Sequence, residues 1–75
     1  MDQPSTYRIE IRGHPGDRLL RPFEDFEVLE RATSTALVGP VTDASHLHGL
    51  IVHLTSLNAE VLSVNRIDHN RSNQP

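Results

Sequence analysis

The sequence predicts a small α+β domain, one sheet with helices on one face, and three observations carry that prediction. The first is the alternation in TYRIEIR, where Tyr7, Ile9 and Ile11 point one way and Arg8, Glu10 and Arg12 the other. A period of two with apolar residues on one side marks a half-buried strand. The second is the period that follows Asp43: Leu47, Leu50, Ile51, Leu54 and Leu57 fall at i, i+3, i+4, i+7 and i+10, the stripe of an amphipathic helix. The third is size. Seventy-five residues make one domain with room for one helix layer on one sheet, not two full layers.

Each element follows in chain order. Residues 1–5 are polar, carry a proline and read as a tail. TYRIEIR is the first strand, and Gly13, His14, Pro15, Gly16 and Asp17 break it. In DRLLRPFEDF, Leu19, Leu20 and Phe23 are spaced as on a short helix that Asp17 can cap. Pro22 removes a donor and restricts Arg21, so one or two irregular turns tucked against the sheet are expected. FEVLER (26–31) reads as a strand with Phe26 and Val28 on one face and Leu29 on the other.

ATST suits a hairpin connection, and TALVGPV (35–41) is a strand expected to end at Gly39-Pro40, since proline cannot donate to a central ladder. Asp43 is the N-cap of the main helix, with Thr42 the competing choice, and Asn58 is its terminator. AEVLSVNRID supplies the last strand, centred on Leu62 and Val64 with Ile67 near its end, and the polar DHNRSNQP closes the chain without periodicity. The layout is therefore a tail over 1–5, a single α+β domain over 6–68 and a tail over 69–75. A right-handed crossover makes the third and fourth strands parallel. The order β, short helix, β, β, α, β is that of a small ferredoxin-like βαββαβ sandwich with a stunted first helix. If DRLLRPF is only a loop, βββαβ is the alternative.

Composition excludes several function classes. With no cysteine, disulfides and thiolate metal sites are impossible. A net charge of −3, two Phe, one Tyr and no Trp argue against phosphate neutralisation and base stacking, so no nucleic-acid partner is expected. No apolar run approaches the roughly 20 residues needed to span a bilayer, and MDQPSTYR lacks a signal peptide's apolar region, so no membrane partner and a cytoplasmic location are expected. All seven cationic residues are arginine, an observation without functional content here.

Three of the five histidines crowd into VGPVTDASHLHGLIVHL (38–54), and the question is whether they form a site. On a helix His46 and His53 lie about 20° apart in projection but about 10 Å apart along the axis. One ion needs ligands at i and i+3 or i+4, a spacing that neither His46 with His48 nor His48 with His53 has. No metal is therefore expected. Asp43, Ser45 and His46 diverge on one helical turn and cannot align as a catalytic triad; the local reading is that Asp43 caps the helix and His46 sits at N3. Gly39-Pro40 leads into free helix amides, where an anion is conceivable, but Asp43 occupies that position, and the glycines and lysine of nucleotide-binding loops are missing. No cofactor is expected and no catalytic residue is assigned. Arg8 and Arg12 flank Glu10 on the polar face of the first strand, where cross-strand ion pairs to residues such as Glu27 are expected. Glu24, Asp25, Glu27 and Glu30 make the following segment acidic.

Several stretches carry a family resemblance: YRIEIRG at 7–13, the segment from Arg18 to Phe23, GPVTDASHLHGLIVHL at 39–54, and LSVNRID at 62–68. They resemble a family of short, uncharacterised actinobacterial proteins whose pattern runs Y-x-I-x-x-x-G, a short aromatic-containing helix, a strand, G-P-V-x-D-x-x-x-L-H-G-L-L and a final L-S-V. The first helix in similar sequences is rich in Trp and Ala where this chain has RLLRPF. Their linker after the main helix reads L-G-L-P where this chain has Leu57-Asn58-Ala59-Glu60. The resemblance implies a small cytoplasmic domain and no particular activity.

The functional expectation is a non-catalytic interaction or regulatory module, self-associating as a homodimer, whose sheet edge or open sheet face meets the partner, with Leu29, Val38 and Val61 as interface residues on the face away from the helices. The rival expectation is a dimeric enzyme or small-ligand protein with a pocket between sheet and helices. Its polar residues would be Tyr7, His14, Arg18 and His48, and loop 13–17 would be its lid. His48, beside Gly49 in L-H-G-L, is on the opposite flank of the apolar stripe from His46 and is the histidine most exposed to a partner role.

Overall fold

A computed structural model describes residues 4–67, and the expectations for residues 1–3 and 68–75 lie outside them. The elements are β1 (Ser5–Arg12), α1 (Asp17–Leu20), a 3-10 turn (Arg21–Phe23), β2 (Glu27–Glu30), β3 (Ser34–Val41), α2 (Ala44–Ser56) and β4 (Val61–Ile67). The strands form one sheet in the order β2-β3-β1-β4 with every neighbouring pair antiparallel. β3 and β4 therefore run parallel to each other with β1 between them. The class is α+β, as the alternation in β1 and the helical period in α2 predict.

Register puts the core on one side. One cross-strand row reads Val28, Leu37, Ile9, Val64, and the next sets Ile11 opposite Thr35 and Val61. Ile9 and Leu37 are fully buried beneath Leu50 and Leu54 of α2, with Leu47 and Ile51 at the margin. The Thr35 hydroxyl, buried with them, donates to the carbonyl of Gly13 at 2.7 Å, so no buried donor is left unsatisfied there. Gly13 itself, at φ 82°, makes the left-handed turn that ends β1 and that a side chain would resist.

The segment DRLLRPF resolves as one α-helical turn followed by one 3-10 turn, with Pro22 in the 3-10 turn's first positions, where its missing N–H costs nothing. Its function in the fold is to deliver Phe23, which meets Phe26 edge-to-face at 5.0 Å between centroids. Phe26 in turn lies on Gly39. A Cβ built on that glycine would stand 2.6 Å from Cγ of the ring.

One expectation is corrected. β3 does not stop at Gly39-Pro40 but continues to Val41. β2 stops pairing at Val38, so beyond that point β3 has a partner on the β1 side only, an edge position where a ladder tolerates proline. Gly39 is thus a seat for Phe26 rather than a strand stop. β4 forms over the stretch that holds Leu62 and Val64, as expected, and leaves them 43% and 38% exposed. A bulge shifts the β1–β4 register between Glu10 and Ile11, which brings Val61 opposite Ile11 and leaves Leu62 outside the core.

Both ends of α2 are capped by side chains or backbone read from sequence. The Asp43 carboxylate accepts from the His46 amide at 2.9 Å, and the Thr42 amide donates to His46 Nδ1 at 3.0 Å. The arrangement is reciprocal like a capping box, except that His46 reaches back to the amide of Thr42, one residue before the cap, and not to that of Asp43 itself. At the other end Asn58, at φ 65°, donates to Thr55, and Ala59 donates to Leu54, the two bonds of a Schellman motif.

Candidate interaction surfaces

The histidines do not converge. His14 Nε2 donates to the carbonyl of Arg31 at 2.7 Å, tying the loop after β1 to the end of β2. His46 is spent on the α2 cap. His53 Nε2 donates to the carbonyl of Leu19 at 3.0 Å and so fastens α1 to the flank of α2. Among the described residues His48 makes no side-chain hydrogen bond and is exposed. No group of three or more His, Cys, Asp or Glu among the described residues is placed to hold a metal ion.

The four polar residues of the pocket hypothesis are likewise scattered. Tyr7 borders a cavity of about 200 Å³ with Ser5, Val41, Thr42, Asp43, Ala44 and Leu47. His14, Arg18 and His48 do not line it, and none of the hydrogen bonds among the described residues joins two of the four. The reason lies in β1, which holds Tyr7 near its start while His14 follows its far end. Loop 13–17 is therefore no lid over this cavity.

Both helices pack on the Ile9 side, so the opposite face of the sheet is uncovered among the described residues. There the rows read Glu27, Val38, Arg8, Asn65 and Leu29, Ala36, Glu10, Ser63. Glu10 accepts from the Ser34 hydroxyl at 2.7 Å and lies 3.9 Å from Arg8. Arg12 pairs with Glu60 at 2.8 Å, and that bond, then that charge, hold the Arg12 guanidinium pKa above its ordinary value. The arginines of β1 thus meet Glu10 and Glu60 and not Glu27, since Val38 separates Glu27 from Arg8. Leu29, 39% exposed, and the half-buried Val38 are on this open face. Val61 is not: it packs against the core from the helix side, a correction that follows from its pairing with Ile11.

Sequence reasoning names a sheet edge as a partner surface without saying which edge or which side chains it exposes. Exposed large apolar side chains sit on β2 (Val28, Leu29), on the outer side of α2 (Val52) and on β4 (Leu62, Val64). β2 is short and flanked by Glu27 and Glu30, features that blunt an edge. β4 is seven residues long with Arg66 its one charge.

These features define a small antiparallel α+β domain with surface apolar residues and no converged polar site among the described residues. A family model for a domain of unknown function, DUF8691, matches residues 6–65, and the chain belongs to that family. Comparison with curated proteins and with solved structures gave no match. No helix among the described residues is long and apolar enough to cross a membrane.

Proposed function

We propose that the chain is a non-catalytic interaction or regulatory module of the cytoplasm that associates with a second copy of itself, on a ferredoxin-like scaffold. One observation carries the reading: Val28, Leu29, Val52, Leu62 and Val64 stay 38% to 48% exposed in a domain too small to spare apolar surface. A chain of this length has a marginal core, and oligomerisation is a common remedy. The strand order β2-β3-β1-β4 supports the scaffold, because it leaves two strand edges and one sheet face available. Size-exclusion chromatography with light scattering tests the reading. A mass near twice 8.4 kDa that falls on dilution is the expected result; a strict monomer that captures no partner overturns it.

The second reading, a small-ligand protein, draws on the cavity beside Tyr7. At about 200 Å³ it is smaller than the usual 300–1,000 Å³ of ligand pockets, and the Asp43 carboxylate is already engaged in the helix cap. Chemical-shift perturbation of Tyr7 and Thr42 by fragment mixtures is the measurement that favours it.

A further inference from the structure

We infer that His46 is a protonation-sensitive latch on the first turn of α2. Neutral, its ring ties that turn to the end of β3. Protonated, it releases the tie and loosens one wall of the cavity beside Tyr7.

The direction of each histidine hydrogen bond carries the inference. His14 and His53 both approach a backbone carbonyl through Nε2, at 2.7 Å and 3.0 Å. A carbonyl can only accept, so Nε2 bears the proton in both rings. An imidazolium has a proton on each nitrogen, so it keeps these two bonds and strengthens them by its charge. His46 is the reverse case. The amide of Thr42 donates to His46 Nδ1 at 3.0 Å, which requires that nitrogen to be bare. Protonation fills its lone pair and sets two hydrogens face to face. Acid therefore leaves the bonds of His14 and His53 in place and undoes the bond of His46.

Among the described residues nothing offsets that loss. The Thr42 amide has no backbone acceptor there. The new Nδ1–H finds the Thr42 hydroxyl at 3.3 Å, a contact that still leaves the amide to water. The ring stands at N3, beside the first-turn amides that a helix leaves without internal acceptors, and a cation is disfavoured at that end. The charged and titratable groups at this end of the fold are Asp43 on the helix side, Glu24 and Asp25 before Phe26, Tyr7 of β1 and Arg66 opposite it in β4. Asp43 engages the His46 amide through Oδ1, and no carboxylate among the described residues forms an ion pair with the ring. Thr42, Asp43 and Ala44 line the cavity together with Ser5 and Tyr7, so the turn that His46 holds is part of that cavity's wall. The tie is complete near about pH 8 and is lost as the pH falls toward about 5, across the range in which histidine ordinarily titrates.

Nitrogen-15 NMR on the whole chain tests the latch. At about pH 8 the His46 proton is expected on Nε2, with a scalar coupling between Nδ1 and the Thr42 amide nitrogen across the hydrogen bond. At about pH 5 the coupling disappears and the protection of the Thr42 amide against exchange falls about three- to tenfold. His14 and His53 keep their Nε2–H bonds at both values. In His46→Gln the side-chain oxygen accepts regardless of pH, so Thr42 protection is expected to be equal at both values. His48→Ala keeps the wild-type response. A His46 proton on Nδ1 at the higher pH, no coupling to Thr42, or an acid response that persists in His46→Gln overturns the latch. Should acid unfold the whole domain, the midpoint decides: a lower midpoint pH for His46→Gln than for the wild-type chain supports the latch, and an equal one overturns it.

Discussion

Gly39 shows how one missing atom sets local packing. Phe26 must fold back from the start of β2 onto β3 to meet Phe23, and its ring occupies the space a side chain at position 39 would need. Gly39→Ala is expected to destabilise the domain by about 1–3 kcal/mol, in the range of overpacked cores, measured as a lower urea midpoint at unchanged slope. The histidines teach the same lesson at single-residue resolution. His14, His46 and His53 each satisfy a backbone group of a neighbouring segment, and which one is not visible from their spacing. Spacing alone shows only that they cannot share an ion.

At the scale of the element, α2 is the most legible part of the chain. Its stripe, its Asp43 cap and its Asn58 terminator depend on interactions within a few residues, and such local rules survive whatever the rest of the fold does. Asp43→Ala removes the acceptor for the His46 amide and is expected to cost about 0.5–2 kcal/mol, read by thermal unfolding. Gly49 is the converse case. A Cβ there meets nothing within 4 Å, so Gly49→Ala is expected to stabilise the domain by about 0.5–1 kcal/mol through helix propensity, as a higher melting temperature. The short helical segment was legible only as irregular turns, because Pro22 forbids a continuous helix without saying where the turns pack. β4 was legible as a strand but not in its facing, since a bulge opposite Ile11 changes which of Val61 and Leu62 turns inward.

For the whole molecule, stability and association are expected to be linked. If the folded chain binds a copy of itself and the unfolded chain does not, mass action raises the melting temperature with protein concentration. A melting temperature that climbs across a hundredfold concentration series is the expected outcome. A melting temperature independent of concentration for the wild-type chain counts against association at those concentrations. Three of the described histidines, His14, His46 and His53, are committed to backbone partners within the monomer.

The sequence by itself determined the class of fold, the order of the elements and both caps of α2, and it excluded thiolate metal sites and disulfides outright. These follow from composition and from contacts within about one helical turn or one strand. The tertiary structure decided that β3 passes through Pro40, that Gly39 seats Phe26, that Val61 faces the core, and that β4 is the long, nearly uncharged edge. Each of these depends on where a neighbouring strand stops or slips by one residue. With a side-chain period of two, a single-residue slip exchanges inside for outside, and no pattern within the strand itself records it.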